Sequence, residues 1–388
     1  MASTSTPPEL ILTPVMILRG HTEGITNMSY FRDGKRFISG SSWDKTIRRW
    51  DMQSGEEIKE EREECLDDNG QAVVVSRDGR WIITSSEDDN NDDDDCEGKD
   101  DGDEDEDGDG GGECDNLKAY EVETGIVKRF EDYESESRID ISPDNTLVAG
   151  ARSGNETVQI WSLNTGKLVA SPFKSPDEIG VVRFSQDSKK LAVKSSIGRY
   201  LEVWDILTHK LDARVGKSGY HEYRTGSDIF TFTPVFWTNK ETIVTAFGFI
   251  DNDYLKMIYE FTPSTLEAVG APFEGHTKCI VGLALSFDSA LLASSAEDDT
   301  IKLWAFESRQ LLASFHIMGL SVLTFSPDSR QLAYASLENI YICNTRSTPP
   351  DILASIEPVT EGQPSQDRCN HQALSLSVTP IFIASIAD

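Results

Sequence analysis

The chain is short of the features that mark the common catalytic, secreted and membrane classes. Its six cysteines (Cys65, Cys96, Cys114, Cys279, Cys343 and Cys369) stand at no metal-ligand spacing and in no dense cluster. They read as reduced thiols of an intracellular protein and argue against a disulfide scaffold. The six histidines are equally scattered. There is no nucleophile elbow and no glycine-rich phosphate loop, so the expectation is a non-enzyme with no cofactor and no metal. No stretch reaches the ~18 consecutive apolar residues of a membrane span. Pro14 breaks the first apolar run, Pro380 breaks the tail from Ala373 to Ala387, and a basic leader region is missing, so neither anchor nor signal peptide is expected.

Positive charge is scarce as well. Lys and Arg total 36 against 67 Asp and Glu, giving a net charge of -31. That balance disfavours nucleic-acid phosphates and anionic membranes and favours basic proteins or cations. The deficit is concentrated: residues 87–115 hold 18 acids and a single base, Lys99.

What is present points to many turns and a folded core. The chain has 28 Gly, 15 Pro, seven Trp, ten Tyr and 17 Phe along 388 residues, a poor mix for a long helical bundle. The stretch at 275–304, GHTKCIVGLALSFDSALLASSAEDDTIKLW, serves as the template for the rest. After Gly275-His276 comes an alternating apolar run, a turn at Phe287-Asp288-Ser289, a second run from Leu291 to Ser294, a turn at Glu297-Asp298-Asp299, and a third run ending at Trp304. Period-two runs split by turn residues form a meander of short antiparallel strands.

This unit resembles the WD40 repeat, a family whose signature is a Gly-His near the start and a Trp-Asp near the end of ~40 to 45 residues. The resemblance implies a chain of hydrogen bonds through His276, Ser294, Asp298 and Trp304, a structural role rather than a catalytic one. The first unit offers His21, Asp44 and Trp50, but SGSSWD is one residue longer than the family wording, so Ser39 and Gly40 compete for the serine position. Only the sixth unit shows the full pattern on sequence. The wording GSSWDKTIRRWD is also similar to the arrays that end large fungal-type signalling proteins, which keeps a sensor module open as an alternative.

Third-strand markers fall at Trp50, Tyr120, Trp161, Trp204, Tyr259, Trp304 and Cys343, with gaps of 70, 41, 43, 55, 45 and 39 residues. Two gaps exceed the family period by about 28 and about 13 residues, and each coincides with a visible insertion. The expected fold is therefore all-β, a seven-bladed WD40 β-propeller over residues 13–356 with an acidic low-complexity insertion, 87–115, in blade two. A disordered arm at 1–12 and an irregular tail at 357–388 flank it. Two segments compete to close the ring, PVMILR at 14–19 and DILASI at 351–356. The first is preferred because it abuts Gly20-His21, as each fourth strand abuts the next unit. Blades two and five, with the poorest wording, are expected to be the loosest.

In the family, the loops between second and third strands share one rim with the loops between blades. The acidic insertion and the fifth-unit extras at 216–228 and 248–254 would then converge on that rim. Lengthening a turn from ~4 to ~30 residues costs only about 1.8 kcal/mol of closure entropy, so a scaffold tolerates it.

The insertion, with Asp92, Asp93, Asp94, Asp95, Asp103, Asp105 and Asp107, reads either as a lure for basic partners such as histone tails or ribosomal proteins, or as a solvated low-complexity segment. A calcium-loop reading of Asp103, Asp105, Asp107 and Gly108 fails at its twelfth position, which is Cys114. Candidate partner-binding residues are Trp43 and Glu297, each just before a turn Asp, and the cluster Tyr220, His221, Tyr223 and Arg224. For Trp43 the competing explanation is packing on a neighbouring loop, and for the cluster it is covering the seam between blades five and four. The overall expectation is a protein-protein interaction scaffold in the cytoplasm or nucleus, with an enzyme built on a propeller platform as the remote alternative.

Overall fold

Short runs in which apolar and polar residues alternate cannot bury both faces alone, so each must find neighbours on two sides. The computed structural model describes residues 12–41, 43–44, 46–58, 70–76, 78–86, 117–130, 138–151, 156–169, 173–216, 233–249 and 255–345. Among them every named element is a strand, and the strands form seven separate antiparallel sheets, the blades of a propeller. Blade one holds Asn27–Tyr30, Arg36–Ser41 and Thr46–Asp51. Blade two holds Gly70–Val75, Trp81–Ser86, Leu117–Glu121 and Val127–Arg129. Blade three runs from Arg138–Ile141 through Leu147–Ala151 and Thr157–Ser162 to Phe173–Lys174.

Blade four contains Ile179–Phe184, Lys190–Ser195, Tyr200–Asp205 and Lys210–Gly216. Blade five is the most reduced, with Phe236–Trp237, Ile243–Ala246 and Ile258–Phe261. Isolated bridges at Phe273 and Ala268 stand where its fourth strand belongs. Blade six has four full strands, Ile280–Leu285, Leu291–Ala296, Thr300–Ala305 and Gln310–His316.

Blade seven is assembled from both ends of the described chain. Leu320–Phe325, Gln331–Ser336 and Asn339–Asn344 are joined at the outer edge by Pro14–Arg19, which pairs antiparallel with Asn339–Asn344 in the register Leu18 to Ile340 and Arg19 to Asn339. The preferred closing segment is thus the one that closes the ring; DILASI lies outside the described residues. Leu18 is 1% exposed and packs with Ile340, Ile342, Ile25 and Trp50. One short strand therefore ties blade seven to blade one.

The core is a ring of seams rather than a central ball. Val244 and Ile258 of blade five pack with Leu283, Leu292 and Trp304 of blade six. Ile301 and Phe315 of blade six pack in turn with Leu332 and Tyr334 of blade seven. Antiparallel order then fixes the rims: connections from strand one to two and from three to four lie at one end, and connections from two to three and from blade to blade at the other. Each strand one-to-two turn carries a left-handed residue at its fourth position, filled by Gly34, Gly79, Asn145, Ser188, Glu241, Ser289 and Ser329, with φ between 55 and 73°.

Candidate functional site

Two blades carry a continuous chain of buried hydrogen bonds between strands. In blade six, Trp304 Nε1 donates to Ser294 Oγ at 2.9 Å, Ser294 Oγ lies 2.8 Å from His276 Nε2, and His276 Nδ1 lies 3.1 Å from Asp298 Oδ2. Polarity fixes the direction: an indole N–H only donates, so the serine hydroxyl passes its own proton to Nε2, and the neutral ring donates from Nδ1 to the ionised carboxylate. Burial works to raise the Asp298 pKa, but hydrogen bonds from His276, Thr300 and the Thr277 N–H outweigh it and hold the carboxyl well below its usual range.

Blade one carries the same chain, with Trp50 to Ser39 at 2.8 Å, Ser39 to His21 at 2.8 Å and His21 to Asp44 at 2.8 Å. The sixth unit is therefore not alone, and Ser39 rather than Gly40 takes the serine place. The strand register shows why the sequence left this open: Ser41 pairs with Thr46 in blade one, leaving a turn one residue longer than that between Ala296 and Thr300. Burial lowers the His21 pKa, keeping the ring neutral, while Asp44 is held low against its own burial by hydrogen bonds from Thr46, His21 and Thr22. The paired glycines are also explained. A Cβ on Gly275 would sit 2.9 Å from Trp304 Cη2, and one on Gly20 3.0 Å from Trp50 Cη2, so the glycine before each histidine makes room for the indole tip.

Replacing Ser294 with Ala orphans a buried donor and a buried acceptor together, which at roughly 1 to 3 kcal/mol per unsatisfied group predicts a loss of at least 2 kcal/mol. Urea unfolding of Ser294→Ala and Ser39→Ala measures it. Unfolding free energies lowered by less than about 0.5 kcal/mol would show that water replaces the hydroxyl.

Other blades use different partners. In blade four Trp204 Nε1 donates to Glu202 Oε2 at 3.0 Å and its ring stacks on Phe173 at 5.0 Å. Glu202 is 1% exposed, and burial raises its pKa against hydrogen bonds from Trp204, Ser175 and Tyr200. In blade five Arg309, reaching over from blade six, donates to Glu260 Oε2 at 2.6 Å and to the Val269 carbonyl at 2.5 Å.

On the rim of second-to-third-strand turns, Trp43 stands 74% exposed, directly before the Asp44 that anchors the blade-one chain. Glu297 holds the same place before Asp298 in blade six and is exposed. Blade seven separates the two. Ser86 and Leu117, the described residues that flank the acidic insertion, belong to the second and third strands of blade two. The insertion itself, with Asp92–Asp95, Asp103, Asp105 and Asp107, lies outside the described residues, as does the cluster Tyr220, His221, Tyr223 and Arg224.

The model of the WD domain, G-beta repeat, matches residues 12–51 and 268–305. These are the two segments that carry the complete histidine, serine, aspartate and tryptophan chain. These two segments are WD40 repeats. The chain is 25% identical over 221 residues to Periodic tryptophan protein 2 of Arabidopsis thaliana, covering 56% of this chain and 23% of that protein. It is 27% identical over 244 residues to Protein transport protein SEC31 of Saccharomyces cerevisiae, covering 58% of this chain and 18% of that one. A SEC31 from Candida glabrata matches at 28% over 219 residues, 50% and 16% of the two chains. The chain thus spans less than a quarter of the length of these relatives.

Two features of this WD40 propeller escape sequence reasoning. Lys194, in the second strand of blade four, is fully buried, with Nζ 2.5 Å from the Thr233 carbonyl, 3.2 Å from Thr233 Oγ1 and 3.0 Å from Thr245 Oγ1. No carboxylate accepts from it in these bonds, and burial pushes its pKa down to about 7. A lysine between strand residues reads as a solvent-facing position, so composition gives no signal for it. The second feature is a cavity of about 520 Å³ at the rim of first-to-second-strand turns, lined by residues from all seven blades. Its lining is scattered along the whole sequence.

Proposed function

We propose that this WD40 propeller is a non-enzymatic scaffold that holds protein partners on the rim of its second-to-third-strand turns, with Trp43 as anchor. The observation that carries the reading is the 74% exposure of an indole next to a turn fixed by Asp44. Thr46 Oγ1 and the Thr46 N–H donate to Asp44 Oδ1 at 2.7 and 2.9 Å, and the Thr22 N–H donates to Oδ2 at 3.0 Å. The turn is therefore set before a partner arrives, and less ordering entropy is lost on binding. Exposed tryptophans are enriched among the residues that dominate interface energies.

The acidic insertion of blade two adds long-range attraction. Its 18 acids in 29 residues draw basic partners, of which histone tails and ribosomal proteins are examples, in a cytoplasmic or nuclear setting. Attraction of this kind governs encounter rate and fades with salt, whereas the anchor governs residence time.

Affinity purification of the intact chain beside Trp43→Ala and a deletion of residues 87–115 tests both parts. Trp43→Ala is expected to weaken partner binding about tenfold or more with an unchanged thermal midpoint. The deletion is expected to remove the basic partners seen at low salt. Recovery of the same partners in the same amounts by all three proteins would refute the proposal.

A further inference from the structure

The cavity lies at the rim opposite Trp43, and its outer ring is built by one repeated device. In six of the seven blades the first-to-second-strand turn places its second residue at the mouth of the central channel: Arg32, Pro143, Gln186, Asn239, Phe287 and Pro327 all line the cavity. The residue that follows is an aspartate in most blades, and it is turned onto its own turn. Ser142 Oγ donates to Asp144 at 2.6 Å, Ser185 to Asp187 at 2.7 Å, Ser286 to Asp288 at 2.6 Å and Ser326 to Asp328 at 2.6 Å. Backbone N–H groups of Thr146, Lys189, Ala290 and Arg330 donate to the same carboxylates. The turns are rigid, and their acids are occupied within them.

Deeper in the mouth, Arg183 donates to Asp140 Oδ1 at 2.9 Å, and Asp140 Oδ2 takes the Phe184 N–H at 2.8 Å. Asp140 is 4% exposed, whereas the Arg183 side chain is 43% exposed and lies over the Phe236 ring at 5.8 Å. Among the described lining residues, the charged groups are therefore Arg32, Arg183 and an aspartate already paired with Arg183. In a chain of net charge -31 this lining is cationic. Next round the ring from Arg32 of blade one come Pro327 of blade seven and then Phe287 of blade six, the latter 56% exposed. Proline and phenylalanine on consecutive blades make an apolar arc next to the arginine.

We propose that this mouth is a second binding site, which takes a peptide segment presenting a carboxylate beside an apolar side chain. The acid meets Arg32, the apolar group seats on Pro327 and Phe287, and Arg183 across the mouth adds to its positive charge. The cavity size falls within the ~300 to 1,000 Å³ usual for small-ligand sites, enough for a few side chains and too small for a folded domain. The site is independent of the Trp43 rim, because the two lie at opposite ends of every blade.

The test is selection of random peptides displayed on phage against the immobilised full chain, followed by fluorescence polarisation of the enriched peptides. Enriched sequences are expected to carry Asp or Glu within two residues of Leu, Phe or Trp. They are expected to bind Arg32→Glu/Phe287→Ala about tenfold more weakly and Trp43→Ala with unchanged affinity. Both altered side chains are exposed, so a matching thermal midpoint verifies that the double variant is folded. Absence of any enriched peptide, enrichment of basic or uncharged sequences, or equal affinity for the double variant would each overturn the proposal. Displacement by a thymidine oligonucleotide that itself loses affinity for the double variant would overturn it too, by assigning the arginines to a nucleic-acid backbone.

Discussion

A chain that begins at Gly20 is expected to lose its cooperative fold. Pro14–Arg19 supplies the outer strand of blade seven, and its removal exposes the backbone of Asn339–Asn344 along an edge that the ring otherwise covers. It also empties the place of Leu18, which is 1% exposed between Ile340 and Trp50. Losing one such leucine to alanine costs about 2 to 5 kcal/mol, and each lost ladder hydrogen bond about 1 kcal/mol more. Those amounts together match the whole stability of an ordinary domain, about 5 to 15 kcal/mol. The truncated protein should show a broad, non-cooperative urea transition by far-UV circular dichroism. A synthetic peptide covering residues 12–20, added in excess, should restore a sharp one. If the truncated protein unfolds as sharply as the intact chain and at the same midpoint, then blade seven does not depend on this strand.

Lys194 should give the protein a dependence of stability on pH that vanishes in Lys194→Met. Its folded pKa of about 7 lies below the ordinary lysine value of about 10.4. Between those two values the native amine is neutral while the unfolded amine is protonated, so unfolding takes up a proton. Stability then rises with pH by about 1.4 kcal/mol per unit from this group across that window. Below pH 7 and above about 10.4 both states carry the same protonation, and the contribution is flat.

The titratable group coupled to the amine is Cys279, whose thiol burial pushes up to about 11. Its ionisation in the unfolded state acts in the opposite sense above pH ~8.5, and it is common to both proteins, so the difference between them isolates the lysine. Methionine keeps the stem and removes the charge. The lost bonds to Thr233 and Thr245 are an offset that does not vary with pH. Chemical denaturation from pH 7 to 10 should show the advantage of the variant over the wild type shrinking steadily. Parallel curves would mean that Lys194 keeps its proton inside the seam.

Much of this was legible without coordinates. Seven markers of third strands, from Trp50 to Cys343, give seven blades because an alternating run of five or six residues has only one way to be half-buried. The template unit contains His276, Ser294, Asp298 and Trp304 at spacings that let four polar groups satisfy one another within one sheet. In blade one the same chain was ambiguous by one residue, since sequence cannot say whether an extra residue lengthens a strand or a turn. The pairing of Ser41 with Thr46 resolves it.

Local repetition therefore determined the number of blades, the strand borders and the polar chain inside the template, all of which depend on neighbours within a few dozen residues. Only the closed ring decided that Pro14–Arg19 lies beside Asn339–Asn344, that Lys194 is sealed in a seam against Thr233 and Thr245, and that Arg32, Arg183 and Phe287 surround one cavity. These groups are far apart in sequence, and no local propensity joins them. They meet because each blade has to bury its two faces on its neighbours, and seven such contacts bring the ends of the array together.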